Sequence, residues 1–397
     1  MHTLVLSGTA LIAATYGLAR FGYGLFLPLI TDQLAMGPAL AGLIQAGSFL
    51  AYCAAALVAT RMDERPRTVV AWAGATAAVG SLGVALSTTT VVLAVSVLVA
   101  GAGAGFATPG LVSLVERGVP RAHQESAQTV VNSGTGAGIV VAGALLLVTA
   151  GRWRLGWLAI ALLAALAALA TLRADRRTRP AGPAERPGAD DAREGEGHAA
   201  HAPSGPLLSS DRRAEIGALS RPLVAASLAG ASSAAVWTFG RTVLTDAGTG
   251  GETYAVLAWM VLGAAGVLGA VAGRMVQAWS LRTAWAATTV TMLAATLVVG
   301  LAPGARPAAV AAVALFGAGY TALSGVLIVW AVRTLPEHAT TGTVLLFIAL
   351  AVGQALGSAG LGALLGATSP AVTFTAAAAL GLAAVVAAAR ERVREPA

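Results

Sequence analysis

Apolar residues in this chain neither alternate nor recur every third or fourth position; they run on in blocks broken by Gly, Pro or charge. Each block reaches the roughly 20 residues that a helix needs to cross bilayer hydrocarbon. The first six blocks cover residues 4–30, 38–60, 68–87, 91–115, 127–150 and 153–172; the next six cover 221–244, 254–273, 281–302, 307–332, 341–366 and 370–389. In lipid no other open element satisfies its own backbone, so each block predicts a helix. The expected fold is an all-α polytopic membrane protein of twelve transmembrane helices. Residues 1–172 form an N-terminal six-helix bundle and residues 221–397 a C-terminal one with a short cytoplasmic tail. The stretch 173–220 between them is polar, rich in Pro, Gly, Ala, Arg, Asp and Glu, and lacks apolar periodicity, so it is expected to be a disordered cytoplasmic linker.

Composition agrees with this pattern and narrows the chemistry. Mean hydropathy is +0.77, 57% of residues are hydrophobic and 11% are charged, outside the range of soluble globular chains. All 25 basic residues are Arg, which excludes a Walker A lysine and a Schiff-base lysine, and with them an ATP-driven pump of P-loop type within this chain. Most of these arginines fall in loops on one side of the twelve blocks, while only Arg152, Arg154 and Arg306 fall on the other. The net charge of +7 therefore orients the chain and does not point to nucleic acid: both termini and the central loop are expected in the cytoplasm. The N-terminus, Met1-His2-Thr3, lacks a basic n-region, so the first block is expected to be retained. Cys53 is the sole cysteine and lies in an apolar block, which removes any intrachain disulfide. The His198 and His201 pair near Glu194 and Glu196 sits in the mixed-charge linker; no metal site and no cofactor are expected.

Two arginines remain inside the blocks, Arg20 and Arg241. A charge at bilayer depth costs about 2.5–3.5 kcal/mol on insertion scales, so Arg20 should face a protein-lined or watery interior. At helical spacing Tyr16, Arg20 and either Tyr23 or Gly24 share a stripe, giving the cation two aromatic neighbours and a gap where a small anion fits. A structural Arg20, bonded to carbonyls or a polar side chain of a neighbouring helix, is the other reading. Arg241 lies near the end of its block, where it either snorkels to the interface, pairs with Asp246 or meets cargo.

The two halves also echo each other. Arg117-Gly-Val-Pro120-Arg-Ala-His123 returns as Arg333-Thr-Leu-Pro336-Glu-His338, and Phe21-Gly22 returns as Phe239-Gly240, at nearly the same offset and at the matching place in each half. That suggests a six-plus-six repeat about an axis along the membrane normal.

Twelve blocks, a long linker after the sixth and a parallel repeat resemble the major facilitator superfamily over the whole chain. The stretch Ala19-Arg20-Phe21-Gly22-Tyr23-Gly24-Leu25-Phe26-Leu27-Pro28 further resembles the first helix of its bacterial YbfB/YjiJ-type members. The superfamily's loop signature, Gly-x-x-x-Asp-Arg-x-Gly-Arg, is met only by Asp63 and Arg67, with Ala59, Glu64 and Pro66 at the other positions. The resemblance implies that Asp63 and Arg67, with Arg274 in the second half, brace the inner gate. Span four lacks the Arg of the proton-coupled drug exporters, reading Val97-Leu-Val-Ala-Gly101-Ala-Gly103-Ala-Gly105 there. By resemblance, spans one, four, seven and ten line a central cavity, so the substrate-binding candidates are Tyr16, Arg20, Tyr23, Ser233, Trp237, Arg241, Tyr320 and Ser324, with Thr108 beside Pro109. Gln45, Tyr52, Asn132 and Gln354 form the next ring; Trp237 and Tyr320 are equally readable as packing or interface aromatics.

No Asp or Glu falls in the middle of a block, so Asp32, at the end of the first, is the one candidate for proton coupling. The expectation is a transporter, not an enzyme: a monomer in a bacterial cytoplasmic membrane that moves a small organic solute with an anionic group by alternating access, alone or with a proton or counter-ion. Efflux of a drug or secondary metabolite is the alternative within the class. A nontransporting receptor and a membrane-embedded enzyme are the alternatives outside it, although Asp190-Asp191 lies in the linker and neither Gly-x-Ser-x-Gly nor His-Glu-x-x-His occurs.

Overall fold

The computed structural model describes residues 2–62, 64–178, 210–248, 251–268 and 279–389. Twelve principal helices run through them: α1 (His2–Leu34), α2 (Pro38–Thr60), α3 (Pro66–Leu86), α4 (Thr90–Gly118), α5 (Arg121–Val148) and α6 (Trp153–Thr178); then α7 (Ser210 to Asp246), α8 (Gly251–Leu268), α9 (Leu281–Leu301), α10 (Arg306–Thr334), α11 (Ala339–Ala367) and α12 (Pro370–Ala389). Among the described residues eleven stretches are long and apolar enough to cross a membrane, and Gly251–Val267 is a shorter apolar one. Among the described residues helix covers each apolar block to within two residues; positions 269–273 of the eighth lie outside them. Helix also takes both ends of the stretch read as linker, up to Thr178 and again from Ser210; His198, His201 and Asp190-Asp191 lie outside the described residues, as do Asp63 and Arg274.

Helix ends are set by ordinary local chemistry. Pro38 and Pro66 open α2 and α3, where a missing N–H costs nothing. Thr89 caps α4 by accepting from the Val92 N–H, and Ser280 caps α9 by accepting from the Thr283 N–H. Two helices depart from α geometry in the middle: α1 is π-helical over Ala13–Arg20, with the Phe21 N–H reaching the Tyr16 carbonyl at 2.9 Å, and α7 is π-helical over Ala235–Gly240. The wide turns abut Phe21-Gly22 and include Phe239-Gly240, the pair by which the halves resemble one another.

The packing obeys a two-fold relation that pairs α1 with α7, α2 with α8, and so on to α6 with α12. In the first half α3 packs on α4 and α6, α2 on α4, and α1 on α5 and α6; in the second α9 packs on α10 and α12, α8 on α10, and α7 on α11 and α12. Across the halves α2 meets α11 and α5 meets α8, two contacts that the same relation interchanges. The bundle is thus two pseudo-symmetric sets of six helices, joined along two equivalent seams and by α1 against α7.

Small residues let these backbones meet. A methyl on Gly17 would strike the Gly138 backbone of α5, and one on Gly42 the Ser358 carbonyl of α11. Gly360, also in α11, has open space around a methyl. Gly17→Ala and Gly42→Ala should therefore each lower the thermal midpoint of the purified protein, by an overpacking cost of about 1–3 kcal/mol. Gly360→Ala should leave it unchanged or raise it slightly.

Candidate functional site

Arg20 ends the π segment of α1 and is 4% exposed. Its Nη2 donates to Gln354 Oε1 on α11 at 3.2 Å, a bond that crosses from one half to the other. Its Cζ lies 4.0 Å from the ring centroid of Tyr52, 5.0 Å from Phe49, 5.3 Å from Phe21 and 5.5 Å from Tyr16. Among the described residues no carboxylate is paired with it; the ion pairs there are Arg67–Asp175, Arg117–Asp175 and Arg241–Glu252. The Nε is buried without a partner. Aromatic faces within about 6 Å attract a guanidinium, by about 2 kcal/mol or more when the contact is dry. They offset its burial without neutralising it.

A polar relay extends from this cation in both directions. Gln354 donates through Nε2 to Tyr320 Oη on α10 at 3.1 Å and, more loosely, to Ser233 Oγ on α7 at 3.5 Å. On the other side Tyr16 and Thr108 share a hydrogen bond of 2.9 Å between hydroxyls, and the Tyr16 hydroxyl donates to Tyr52 Oη at 3.4 Å. Helices α1, α2, α4, α7, α10 and α11 therefore converge on one layer. Beside it lies an aromatic block: Trp237 stacks on Phe21 with centroids 4.2 Å apart and meets Tyr320 edge-on at 5.1 Å and Phe316 at 5.6 Å. The Trp237 indole N–H, buried, has no acceptor. The layer thus holds spare donors on Arg20 and Trp237, and its closest charge is positive.

The sequence-derived candidates divide around this layer. Tyr16, Arg20, Tyr52, Ser233, Trp237, Tyr320 and Gln354 come together. Tyr23 does not: it is fully buried and donates to the Ala41 carbonyl of α2 at 3.3 Å. The expected stripe assumes α-helical spacing, and the wide π turn before Phe21 rotates the positions beyond it. The gap expected at Gly24 is filled, because the Trp237 carbonyl of α7 sits where a methyl would be. Ser324 bonds back to the Tyr320 carbonyl of its own helix, at 3.0 Å. Gln45 is buried with its Oε1 unpartnered, and Asn132 is exposed on α5, accepting from Gln128. Asp32 is exposed at the end of α1.

Arg241 neither snorkels nor pairs with Asp246. Its side chain is 0% exposed; Nη1 donates to the Leu25 carbonyl of α1 at 2.7 Å and Nη2 to Glu252 Oε1 at the start of α8 at 3.0 Å. Glu252 escapes a reading of the sequence because it stands just outside the apolar block; its position in the first turn of a helix, where acids are favoured, is the available signal. Phe49 also escapes, being one apolar residue among many. At the arginine-rich face Arg67 meets Asp175 of α6, which Arg117 of α4 also holds at 3.1 Å. Asp175 is 2% exposed and is hidden in the sequence among charges that read as linker.

Three comparisons bear on this architecture. The family model described as Major Facilitator Superfamily matches residues 9–358. No curated protein matches the sequence. Among solved structures, a point mutant of the nucleoside transporter NupG superposes with a TM-score of 0.75 at 15% identity, over 97% of this chain and 99% of that one. A bacterial homolog of the human lysosomal transporter Spinster, inward-facing and unoccupied, gives 0.70 at 16% identity over 97% and 93%. A POT family transporter in complex with 5-aminolevulinic acid gives 0.71 at 14% identity over 96% and 94%. At such identities the likeness establishes the fold.

The Gln354 contact yields a measurable contrast. Gln354→Leu removes the hydrogen bond to the buried guanidinium and should reduce stability by about 2 kcal/mol, the usual worth of a bond to a charged group, read as a lower thermal midpoint. Gln354→Glu places a carboxylate within reach of Arg20 and should preserve or raise that midpoint.

Proposed function

The chain belongs to the Major Facilitator Superfamily, and from that premise we propose that it is a carrier of a small organic solute bearing an anionic group, held at Arg20. The observation that carries this reading is the combination at one residue of burial, an unpartnered Nε and the lack of any paired carboxylate among the described residues. A planar guanidinium fork binds a carboxylate through two parallel hydrogen bonds. A donor-rich, acceptor-poor layer favours a ligand that only accepts. Tyr16, Tyr52 and Tyr320 hydroxyls surround the head group, and Trp237 with Phe21 offers a flat wall to the rest. In another member of the fold the bound ligand is 5-aminolevulinic acid, a small carboxylic acid.

Transport follows from the two seams. The halves are held together by close backbone contacts and by few polar bonds, so each set of six helices can turn as a body about the central layer while Arg20 and Gln354 exchange partners with cargo. Residues 1–172 and 221–397 are the two bodies in this reading, with the linker between them. The excess of arginine at one face supports an orientation with that face, the termini and the linker on the cytoplasmic side of a bacterial inner membrane. There Arg67 and Arg117, drawn onto Asp175, brace the inner ends of α3, α4 and α6.

Reconstitution tests the proposal. A thermal-shift screen of purified protein against metabolite carboxylates, with neutral and cationic drugs as controls, should select a carboxylate; a ligand at 100 times its Kd adds about 2.7 kcal/mol to the folded state. In proteoliposomes Arg20→Lys keeps the charge but removes the fork, and uptake of that carboxylate should fall about tenfold or more, the equivalent of about 1.4 kcal/mol. Normal flux by Arg20→Lys, or stabilisation by neutral compounds alone, would reassign Arg20 to structure.

A further inference from the structure

The second intramembrane arginine has a different arrangement from the first, and it stands at the arginine-poor face. Arg241 has no exposed surface, yet its counter-ion Glu252 is 45% exposed. The carboxylate borders a cavity of about 110 Å³ between the ends of α5 and α8, lined among others by Leu146, Leu147, Gly151 and Val256. The other hand of the guanidinium holds the Leu25 carbonyl, which belongs to the opposite half. One side chain therefore ties α7 to α1 across the mouth between the halves, and it is kept buried by a charge that solvent can reach.

We propose that Glu252 is a binding site for a proton from the arginine-poor side, and that occupancy of this site opens the gate between α1 and α7. The inference rests on the halves moving against each other, as in the carrier reading, and not on the nature of the cargo. The sign follows from charge. With Glu252 ionised, Arg241 is paired and the closed arrangement keeps it out of water. A proton on Glu252 would leave Arg241, still charged, without its counter-ion, and a buried guanidinium without a counter-ion favours the state in which it reaches water. That state requires Nη1 to leave Leu25. Because the carboxylate opens to one face in the closed form, the proton returns to the side it came from: it controls the gate and is not carried through.

The groups that share this corner include a second acid, Asp246, and Glu252 is singled out by its ion pair with Arg241. Arg241 and Asp246 lie on α7, Arg152 in the turn after α5, Tyr254 on α8 and Arg306 at the start of α10. Tyr254 donates to the Arg306 carbonyl, and Arg152 bonds to the Thr149 carbonyl. Of these groups Arg241 alone is ion-paired with Glu252.

The test needs no cargo. In a Cys53→Ser background, spin labels at Asp32→Cys and Ala247→Cys report the separation of the α1 and α7 ends, and labelling position 32 also removes the one acid of α1. In nanodiscs, lowering the pH from about 7 to about 3, through the carboxylate range, should raise the long-distance population severalfold in the parent. Glu252→Gln should show the long-distance population at every pH, and Glu252→Asp should restore the titration. A Glu252→Gln protein that titrates like the parent, or a parent indifferent to pH while Arg241→Gln opens, overturns the proton site and leaves the carrier reading intact. A distribution that stays single in all of them, Arg241→Gln included, overturns both.

Discussion

A positive charge stands at the centre of the bundle with aromatic rings for company and an amide from the other half as its hydrogen-bonded partner. Much of the interior is arranged around keeping it there. Desolvating an ion without a counter-charge costs several kcal/mol even after relaxation, and the four ring faces around Arg20 return part of that. Gln354 returns a further part, and because it sits on α11 that part lasts only while the halves are together. Binding at the centre and association of the halves are thus one energetic problem. In the proposed carrier a ligand that satisfied the guanidinium would also release the amide that bridges the seam.

The contrast between the two buried arginines separates two roles. Arg20 has no carboxylate partner and sits where six helices converge. Arg241 has a carboxylate, a cross-half carbonyl and no exposure, one helical turn beyond Trp237. A site built to receive an anion keeps its cation unpaired; a contact built to hold helices together supplies the anion from the protein. The third charged cluster, Arg67 and Arg117 on Asp175, joins helices within one half. In the proposed rocking motion it would stay intact, whereas the Arg241 contact to Leu25 of the other half would break.

The twelve helices are legible in the sequence because lipid imposes a length and an apolarity on every crossing, and neither depends on detail. Much of the central layer is legible for a similar reason: Arg20, Gln354, Tyr16, Tyr52, Tyr320 and Trp237 are polar or amphipathic groups in apolar runs. What escapes depends on backbone geometry or on a partner far along the chain. Regular α-helical spacing puts Tyr23 on the stripe of Arg20, and the π turn moves it onto α2. Asp246 is the acid nearest to Arg241 along α7, whereas Glu252 faces it from the next helix. Asp175 stands among charges that read as linker, and only the fold shows it buried between two arginines of other helices. Phe49 is indistinguishable by type from the phenylalanines that merely pack.

The π segment of α1 is the feature that lets one helix serve both arginines. A wide turn is equivalent to one added residue, so it turns everything that follows by about 100° relative to a regular helix. Within it α1 presents Tyr16 and Arg20 to the middle of the bundle; downstream it aims the Leu25 carbonyl at Arg241 and seats Tyr23 on α2. Shortening that segment by a single amino acid would put the two stretches back in phase, and the helix could then satisfy the centre or the rim but not both. The irregular backbone acts as a rotational adapter between the central polar layer and the rim, which gives a physical reason for the matching helix of the other half to carry one as well.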